Sequence, residues 1–160
     1  MAIKIGERIP DVKLKTSTDG GIGEVSTADL CRGKKVVLFG VPGAFTGTCS
    51  TKHLPGFVEL ADEIKARGVD ILACTAVNDI HVLSAWAREH GAGAKIELLA
   101  DGNGELARAM GLELDARAFG MGMRSQRYAA IIDDGVIKSL QVDVPGEVTG
   151  SGAQAVLRAL

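Results

Sequence analysis

The chain has 160 residues, of which 46% are hydrophobic and 24% are charged, and its formal net charge is −2. This length fits one domain, residues 1–160, and the composition excludes a disordered chain. The dispersed basic residues exclude the electrostatic surface expected of a protein that binds nucleic acid or anionic membranes. The first residues carry frequent charges and no long apolar run, so we expect a cytoplasmic protein without a signal peptide or membrane span.

The chain contains three cysteines, Cys31, Cys49 and Cys74. Their odd number and wide spacing argue against a disulfide scaffold, and the paired spacing of a zinc site is absent. No C-x-x-C occurs, which disfavours a disulfide oxidoreductase of the thioredoxin type. We therefore expect reduced thiols, with Cys31 as a small apolar side chain or bystander thiol.

The first part of the chain predicts short strands followed by a helical turn. Apolar residues alternate with lysines at 12–15, which indicates short strands or a hairpin with one solvated face in residues 1–25. Ser26, followed three residues later by Asp29, resembles a capping box. It predicts a short helical turn that ends near Gly33.

The next element is a buried strand that leads into a loop carrying one cysteine. Residues 36–39 are continuously apolar, which is typical of a strand covered on both faces. A glycine-rich loop follows, and then an amphipathic helix is expected from about Cys49 to Arg67. Pro55 lies inside this helix, so we expect a kink or an irregular first turn.

Cys49 falls at or near the N-terminus of that helix, where Thr46, Thr48 and Ser50 are candidate capping residues. Unpaired backbone N–H groups and the positive end of the helix dipole favour an anion at this place. A thiolate is therefore stabilised there relative to the thiol. This makes Cys49 a candidate nucleophile.

The remaining sequence alternates strands and helices and closes with a hairpin and a terminal helix. The expected strands are 69–77, 96–100, 128–132 and 136–140, and the expected helices are 80–90, 105–110 and 152–160. This order predicts an α/β fold of the thioredoxin-like class, with a central mixed β-sheet flanked by helices.

Two segments between these elements need an interpretation. Asp101-Gly102-Asn103-Gly104 could suggest calcium, but it lacks the spaced acidic ligands and closing glutamate of an EF-hand. We interpret it as a turn with a helix cap, while asparagine and aspartate at 78–79 are expected to cap the helix at 80–90. Residues 119–125, FGMGMRS, are expected to form a loop.

The run from Pro42 to Cys49, PGAFTGTC, resembles the P-x-x-x-T-x-x-C motif of peroxiredoxins. The wider run VPGAFTGTCSTKHLPGF is similar to the type II (peroxiredoxin-5) subfamily, and so are residues 71–79, 97–112 and 124–140. The resemblance implies a thioredoxin-like fold with peroxiredoxin additions at the N-terminus and in loops. It also implies a peroxidase that reduces hydrogen peroxide and organic hydroperoxides without a metal or other cofactor.

The resemblance assigns roles to the residues around the motif. Cys49 would be the peroxidatic nucleophile and become a sulfenic acid. The Thr46 hydroxyl would contact peroxide and thiolate, and Pro42 would shield the pocket from water. In the family an arginine begins the strand that enters the last hairpin, so Arg127 is our first choice for the cation that stabilises thiolate and transition state, and Arg124 is the second.

His53 stands four residues after Cys49 and could share its helix face. A cysteine hydrolase built on this pair would also need an orienting residue and an oxyanion hole, which the sequence does not supply. We therefore expect at most a supporting role for His53.

The resemblance leaves the regeneration of Cys49 open. One branch of the subfamily uses a cysteine near the C-terminus, but residues 148–157 contain none. Another branch has a cysteine 25 residues after the nucleophile, which corresponds here to Cys74. The alternatives are a Cys49–Cys74 disulfide or direct reduction by glutathione, glutaredoxin or thioredoxin.

Two further questions stay open. A non-catalytic thioredoxin-like redox sensor or chaperone-like module is the alternative function, and the reactivity of Cys49 would distinguish it. The family also suggests a homodimer, but the apolar side chains that fit an interface could equally line the pocket. These side chains are Phe45, Phe119, Met121 and Met123.

Overall fold

The computed structural model describes all 160 residues and contains nine strands. Their bounds are β1 (Lys13–Thr18), β2 (Gly21–Ser26), β3 (Lys35–Val41), β4 (Ile71–Ala76), β5 (Glu97–Ala100), β6 (Glu113–Asp115), β7 (Met123–Ser125), β8 (Arg127–Asp133) and β9 (Val136–Asp143). Seven of them form one sheet in the order β2-β1-β5-β4-β3-β8-β9, and β6 pairs with β7 in a separate ribbon.

Five α-helices connect or follow the strands. They are α1 (Thr27–Cys31), α2 (Leu54–Ala66), α3 (Ile80–Glu89), α4 (Glu105–Ala109) and α5 (Ala153–Ala159). A π-helical segment, Cys49–His53, directly precedes α2, and a single 3₁₀ turn spans Arg117–Phe119. None of these helices combines the length and apolar character needed to cross a bilayer.

The central sheet is mixed because of how its strands are connected. β3, β4 and β5 run parallel, since α2 and α3 provide the long crossovers that parallel neighbours require. β8 lies antiparallel to β3 on one side, and β1 lies antiparallel to β5 on the other. The expected α/β thioredoxin-like fold with a mixed sheet flanked by helices is confirmed.

Helices cover both faces of the sheet. On one face a cluster of 26 buried residues joins the sheet to α2, α3 and α5, and it includes Phe57, Trp86 and Val156. On the other face a cluster of 14 buried residues packs α1 and α4 through Cys31 and Leu106. β3 and β4 are therefore buried on both sides, which explains their continuous apolar sequences.

Three cap predictions are confirmed. The Asp79 side chain accepts a hydrogen bond from the Val82 backbone N–H at the start of α3. The Ser26 side chain accepts a hydrogen bond from the Asp29 backbone N–H at the start of α1. The Asp101 carboxylate accepts from the backbone N–H groups of Leu106 and Ala107, both at 3.0 Å. The segment at 101–104 is thus a turn and cap for α4, as expected.

Most boundaries differ from prediction by one or two residues, and two departures are larger. The last hairpin extends to Asp143 and not to Leu140, because β9 continues to pair with β8 as far as Arg127. The segment 119–125 is also not entirely a loop, since Met123–Ser125 pairs with Glu113–Asp115. A strand of three residues is too short to show an alternating pattern, so the sequence carried no signal for this ribbon.

Candidate active site

Cys49 begins the π-helical segment that precedes α2. The backbone N–H of Leu54 donates to the Cys49 carbonyl, five residues back, instead of the usual four. Pro55 follows within the first turn of α2 and has no N–H to donate to the preceding turn. The irregular first turn expected near Pro55 is therefore present, and Cys49 lies within it.

Side chains around the segment hold it in place. The Thr51 hydroxyl donates to the Gly47 carbonyl at 2.9 Å. Trp86 on α3 donates from Nε1 to the Ser50 hydroxyl, also at 2.9 Å. The cap prediction for Thr48 was wrong, since its side chain makes no cap hydrogen bond. Ser50 instead links the segment to α3.

Cys49, Arg127 and His53 form a buried constellation. Arg127 Nη2 donates to Cys49 Sγ at 3.0 Å, and Arg127 Nη1 lies 2.9 Å from His53 Nδ1. Cys49 is 1% exposed, His53 1% and Arg127 4%. Of the two arginines considered from the sequence, Arg127 is the one that contacts the Cys49 sulfur.

His53 binds through both ring nitrogens. Its Nε2 lies 2.9 Å from the Ser151 backbone carbonyl, which can only accept, so Nε2 carries the proton and Nδ1 accepts from Arg127. Burial lowers the pKa of His53 to about 4, with the Arg127 charge acting in the same direction. His53 is therefore neutral at pH 7. Because neither nitrogen is free for Cys49, the Cys–His hydrolase arrangement does not form.

The positive charge of Arg127 has no carboxylate partner. None of the ion pairs within 4.0 Å involves this residue, and its Nε has no hydrogen-bond partner at all. A buried cation without an anion is strongly unfavourable. A Cys49 thiolate at 3.0 Å would supply the missing anion, so the geometry stabilises the nucleophilic form of the cysteine.

The loop between β3 and the π-helical segment adds the other predicted residues. Thr46 donates from its hydroxyl to the Gly43 carbonyl at 2.6 Å, and Pro42 is half-buried directly after β3. Arg124 donates to the Met121 carbonyl and lies close to Gly43, where an added Cβ would come within 3.0 Å of Nη1. Arg124 therefore borders the loop and does not enter the buried constellation.

Cys74 lies on β4 and is completely buried. It belongs to the same apolar cluster as Cys49, and burial raises the pKa of its thiol well above the usual value. Cys31 is buried on the opposite face of the sheet, where burial raises its pKa to about 11. All three cysteines are free thiols.

Sequence reasoning missed three residues that support the site. Asn78, expected to cap a helix, accepts from the Ala44 backbone N–H at 2.9 Å and so holds the loop. Ser151 accepts from His53 through its carbonyl, and Asp143 binds the turn that contains Ser151. These contacts join residues 34 to 98 positions apart or connect through backbone atoms, so no local pattern could have revealed them.

No three side chains of the metal-binding types converge anywhere in the chain. Two surface depressions of about 380 and 550 Å³ lie between the turn of the β1–β2 hairpin and α3. Neither is lined by Cys49 or Arg127.

We predict that His53 makes the fold sensitive to mild acid. Its pKa is about 4 in the folded state and about 6.5 when unfolded, so between these values the unfolded chain binds more protons and stability falls as pH is lowered. The free energy of unfolding should drop by about 2 kcal/mol between pH 7.5 and pH 5 through this residue. Urea unfolding at both pH values measures the change.

The matched variant for this measurement is His53→Gln, which does not titrate. Its loss of stability over the same pH interval should be smaller than that of the unmodified chain by about 2 kcal/mol. Equal losses in both proteins would contradict the buried, neutral state of His53.

Comparison with known proteins agrees with this site. The Redoxin family model matches residues 4–157. The chain is 49% identical to Peroxiredoxin-2E-2, chloroplastic, of Oryza sativa subsp. japonica, over 99% of this chain and 72% of that protein. It is 43% identical to Peroxiredoxin-2B of Arabidopsis thaliana, over 99% of this chain and 98% of that protein.

A solved structure is also similar to this chain over nearly its whole length. Reduced Prx3 from Vibrio vulnificus in complex with H2O2 superposes with a TM-score of 0.94 at 46% identity, covering 98% of each chain. The match of the family model over nearly the whole chain, together with these identities, shows the family. This chain is a type II peroxiredoxin, and its enzyme class is that of the thiol peroxidases.

Proposed function

We propose that Cys49 is the peroxidatic cysteine and that it reduces hydrogen peroxide and alkyl hydroperoxides as a thiolate paired with Arg127. One observation carries this proposal: the buried Arg127 guanidinium has no carboxylate partner and donates to Cys49 Sγ at 3.0 Å. A thiolate is the form that attacks peroxide. The non-catalytic alternative gives no reason for such a costly buried charge beside a cysteine.

The reaction follows from these groups. The Cys49 thiolate attacks the terminal oxygen of the hydroperoxide, an S–O bond forms, and the O–O bond breaks. The terminal oxygen keeps its hydrogen, so Cys49 becomes a sulfenic acid, and the remaining alkoxide or hydroxide takes up a proton and leaves as alcohol or water. Sulfur is oxidised by two electrons, and the peroxide is reduced by two.

Arg127 has the means to assist the departing oxygen. Its Nε–H lacks a partner and is available while Nη2 holds the sulfur and Nη1 contacts His53. A donor placed where negative charge develops lowers the barrier. His53 keeps the guanidinium in place and, being neutral, does not cancel its charge.

Thr46 and Pro42 shape the entrance in this proposal. The Thr46 hydroxyl donates to the Gly43 carbonyl, which leaves its oxygen lone pairs to accept from the O–H of a hydroperoxide. Pro42 is half-buried beside the loop and would exclude water from the sulfur. The relative from Vibrio vulnificus with bound H2O2 supports hydrogen peroxide as one substrate.

We also propose that an external thiol regenerates Cys49. Cys74 is completely buried in a central strand, and the pKa of its thiol is raised well above the usual value by burial. A thiol of that kind is a poor attacking group. Glutathione with glutaredoxin, or thioredoxin, would form a mixed disulfide with Cys49 and release water, and a second thiol would then release the reduced enzyme.

A homodimer and a cytoplasmic location complete the proposal. Phe45 in the loop is 51% exposed, and Phe119 in the adjoining segment is 81% exposed. Exposed aromatic side chains of this kind are typical of interfaces, and sedimentation equilibrium showing a monomer mass would contradict the dimer.

The proposed location is the cytoplasm. Three free cysteines fit a reducing compartment, and cell fractionation tests the location.

Replacing Arg127 should decide which arginine acts on Cys49. We expect Arg127→Gln to lower the second-order rate constant with hydrogen peroxide by about 10²- to 10³-fold, as for loss of a transition-state donor. Arg124→Gln should change it less than about threefold, because Arg124 lies outside the buried constellation. Stopped-flow kinetics measures both variants, with Cys49→Ser as the inactive reference. A larger loss in Arg124→Gln would reverse the assignment.

Replacing Cys74 should leave the cycle intact. After one equivalent of peroxide, mass spectrometry should find Cys49 with one added oxygen atom and no crosslink. Turnover of Cys74→Ala with glutathione and glutaredoxin, or with thioredoxin, should stay within about twofold of the unmodified enzyme. Cys31→Ala, which alters an equally buried cysteine on the other face of the sheet, is the control. A crosslink that disappears only in Cys74→Ala would show that Cys74 resolves the sulfenic acid.

A further inference from the structure

Asp143 lies directly across from Arg127 in the antiparallel pair of β8 and β9. An acidic residue next to a buried arginine would ordinarily form an ion pair with it. No such pair forms, since the ion pairs within 4.0 Å do not include either residue. The Asp143 carboxylate instead accepts hydrogen bonds from the turn at residues 149–151.

Hydrogen bonds from that turn occupy both oxygens of the Asp143 carboxylate. Asp143 Oδ1 accepts from Thr149 Oγ1 at 2.7 Å and from Gly150 N–H at 3.0 Å. Asp143 Oδ2 accepts from Thr149 N–H at 2.7 Å, from Ser151 N–H at 3.2 Å and from the Ser151 hydroxyl. Asp143 is 8% exposed. One side chain therefore fixes three consecutive residues.

The ionisation of Asp143 suits this role. Burial raises the pKa of the carboxyl, but hydrogen bonds from Ser151 and Thr149 outweigh it and lower the pKa to about 2. The group is ionised throughout the neutral range, so both oxygens can accept from the turn.

The turn is in direct contact with the catalytic constellation. The carbonyl of Ser151, a completely buried residue, accepts from His53 Nε2 at 2.9 Å. The same residue binds Asp143 through its N–H and its hydroxyl. The position of that carbonyl, and with it the acceptor for His53, therefore depends on Asp143.

We propose that Asp143 is a positioning residue for the peroxide reaction: through the turn at 149–151 it fixes the tautomer of His53 and so places the Arg127 guanidinium against Cys49. This inference rests on the proposed role of Cys49. The connection runs from Asp143 to Ser151, from Ser151 to His53 and from His53 to Arg127.

The tautomer of His53 depends on the position of the Ser151 carbonyl. With the proton on Nε2, the Nδ1 lone pair of His53 accepts from Arg127. If the Ser151 carbonyl moved away, Nε2–H would lose its acceptor, and the other tautomer would direct an N–H at the N–H groups of Arg127. Two opposed donors would push the guanidinium from the sulfur. Asp143 acts without touching the reacting atoms and without forming an ion pair with the arginine.

Asp143→Asn tests the proposal, because the amide keeps the shape but presents donors to a turn that already donates. We expect the rate constant with hydrogen peroxide to fall by roughly 10- to 100-fold, as for a misplaced catalytic group. The rate of Cys49 alkylation by iodoacetamide at pH 7 should fall, because the guanidinium no longer holds the sulfur. The ¹⁵N resonances of His53, assigned with His53→Gln, should lose the pattern of a single Nε2–H tautomer.

Asp101→Asn is the matched control. Asp101 is also a buried carboxylate that accepts from backbone N–H groups, but it caps α4 against the other face of the sheet. This variant tests whether losing a buried carboxylate is enough to alter the site. It should leave the alkylation rate and the His53 resonances unchanged, whatever its effect on urea unfolding.

The outcomes separate the two proposals. If the unmodified enzyme reacts with peroxide through Cys49 but Asp143→Asn keeps its alkylation rate and its His53 resonances, the role of Asp143 is refuted and that of Cys49 stands. The same refutation follows if Asp101→Asn reproduces every change seen in Asp143→Asn. If the unmodified enzyme does not react through Cys49, the proposed function itself fails.

If Asp143→Asn does not fold, Ser151→Ala replaces it, because this variant removes only the hydroxyl donor to Asp143. It should show the same changes at smaller size. Unchanged His53 resonances in Ser151→Ala would refute the proposal.

Discussion

The site depends on a buried positive charge that the protein leaves without a carboxylate. Arg127 is 4% exposed and contacts only a cysteine sulfur and a neutral imidazole. A carboxylate at the position of His53 would neutralise the guanidinium and remove the need for an anion at sulfur. His53 gives the arginine a fixed direction while preserving its charge, so the thiolate of Cys49 becomes the favourable counterion.

The fold brings these residues together across a long sequence separation. Cys49 and Arg127 are 78 positions apart, but β3 ends where antiparallel β8 begins, with Gly40 opposite Tyr128. A Cβ at Gly40 would lie 2.2 Å from the Tyr128 ring, so glycine is required for this close approach. The loop that leaves β3 therefore reaches the residue that starts β8. The π-helical segment then turns Cys49 and His53 toward the same guanidinium.

The sequence predicted the strands, helix caps and site residues that depend on local residue patterns. Apolar runs predicted β3 and β4, the cap residues Ser26 and Asp101 were recognised, and the motif around Cys49 indicated both the nucleophile and the family. Arg127 was selected from its place before the last hairpin, and the structure puts it against the sulfur. These features depend on residues close in sequence or on a recurring motif.

The rest could not be predicted because it depends on three-dimensional packing. The i to i+5 hydrogen bond at Cys49 has no residue signature, and a histidine four residues from a cysteine suggested a direct pair that does not form. Asn78 was expected to cap a helix, yet it holds the loop at Ala44. The contact of His53 with the Ser151 carbonyl uses a backbone atom, which any residue type could have provided.

The most direct test of the account is the ultraviolet absorbance of the Cys49 thiolate at pH 7, with and without Arg127. Burial raises the pKa of Cys31 to about 11 and that of Cys74 well above its usual value, so neither contributes near neutral pH. The difference in absorbance between the unmodified enzyme and Cys49→Ser should therefore show a thiolate at pH 7, and Arg127→Gln, which removes the donor to the sulfur, should weaken that signal. A Cys49-dependent signal unchanged by Arg127→Gln, or no such signal at pH 7, would contradict the pairing of thiolate and guanidinium on which the mechanism depends.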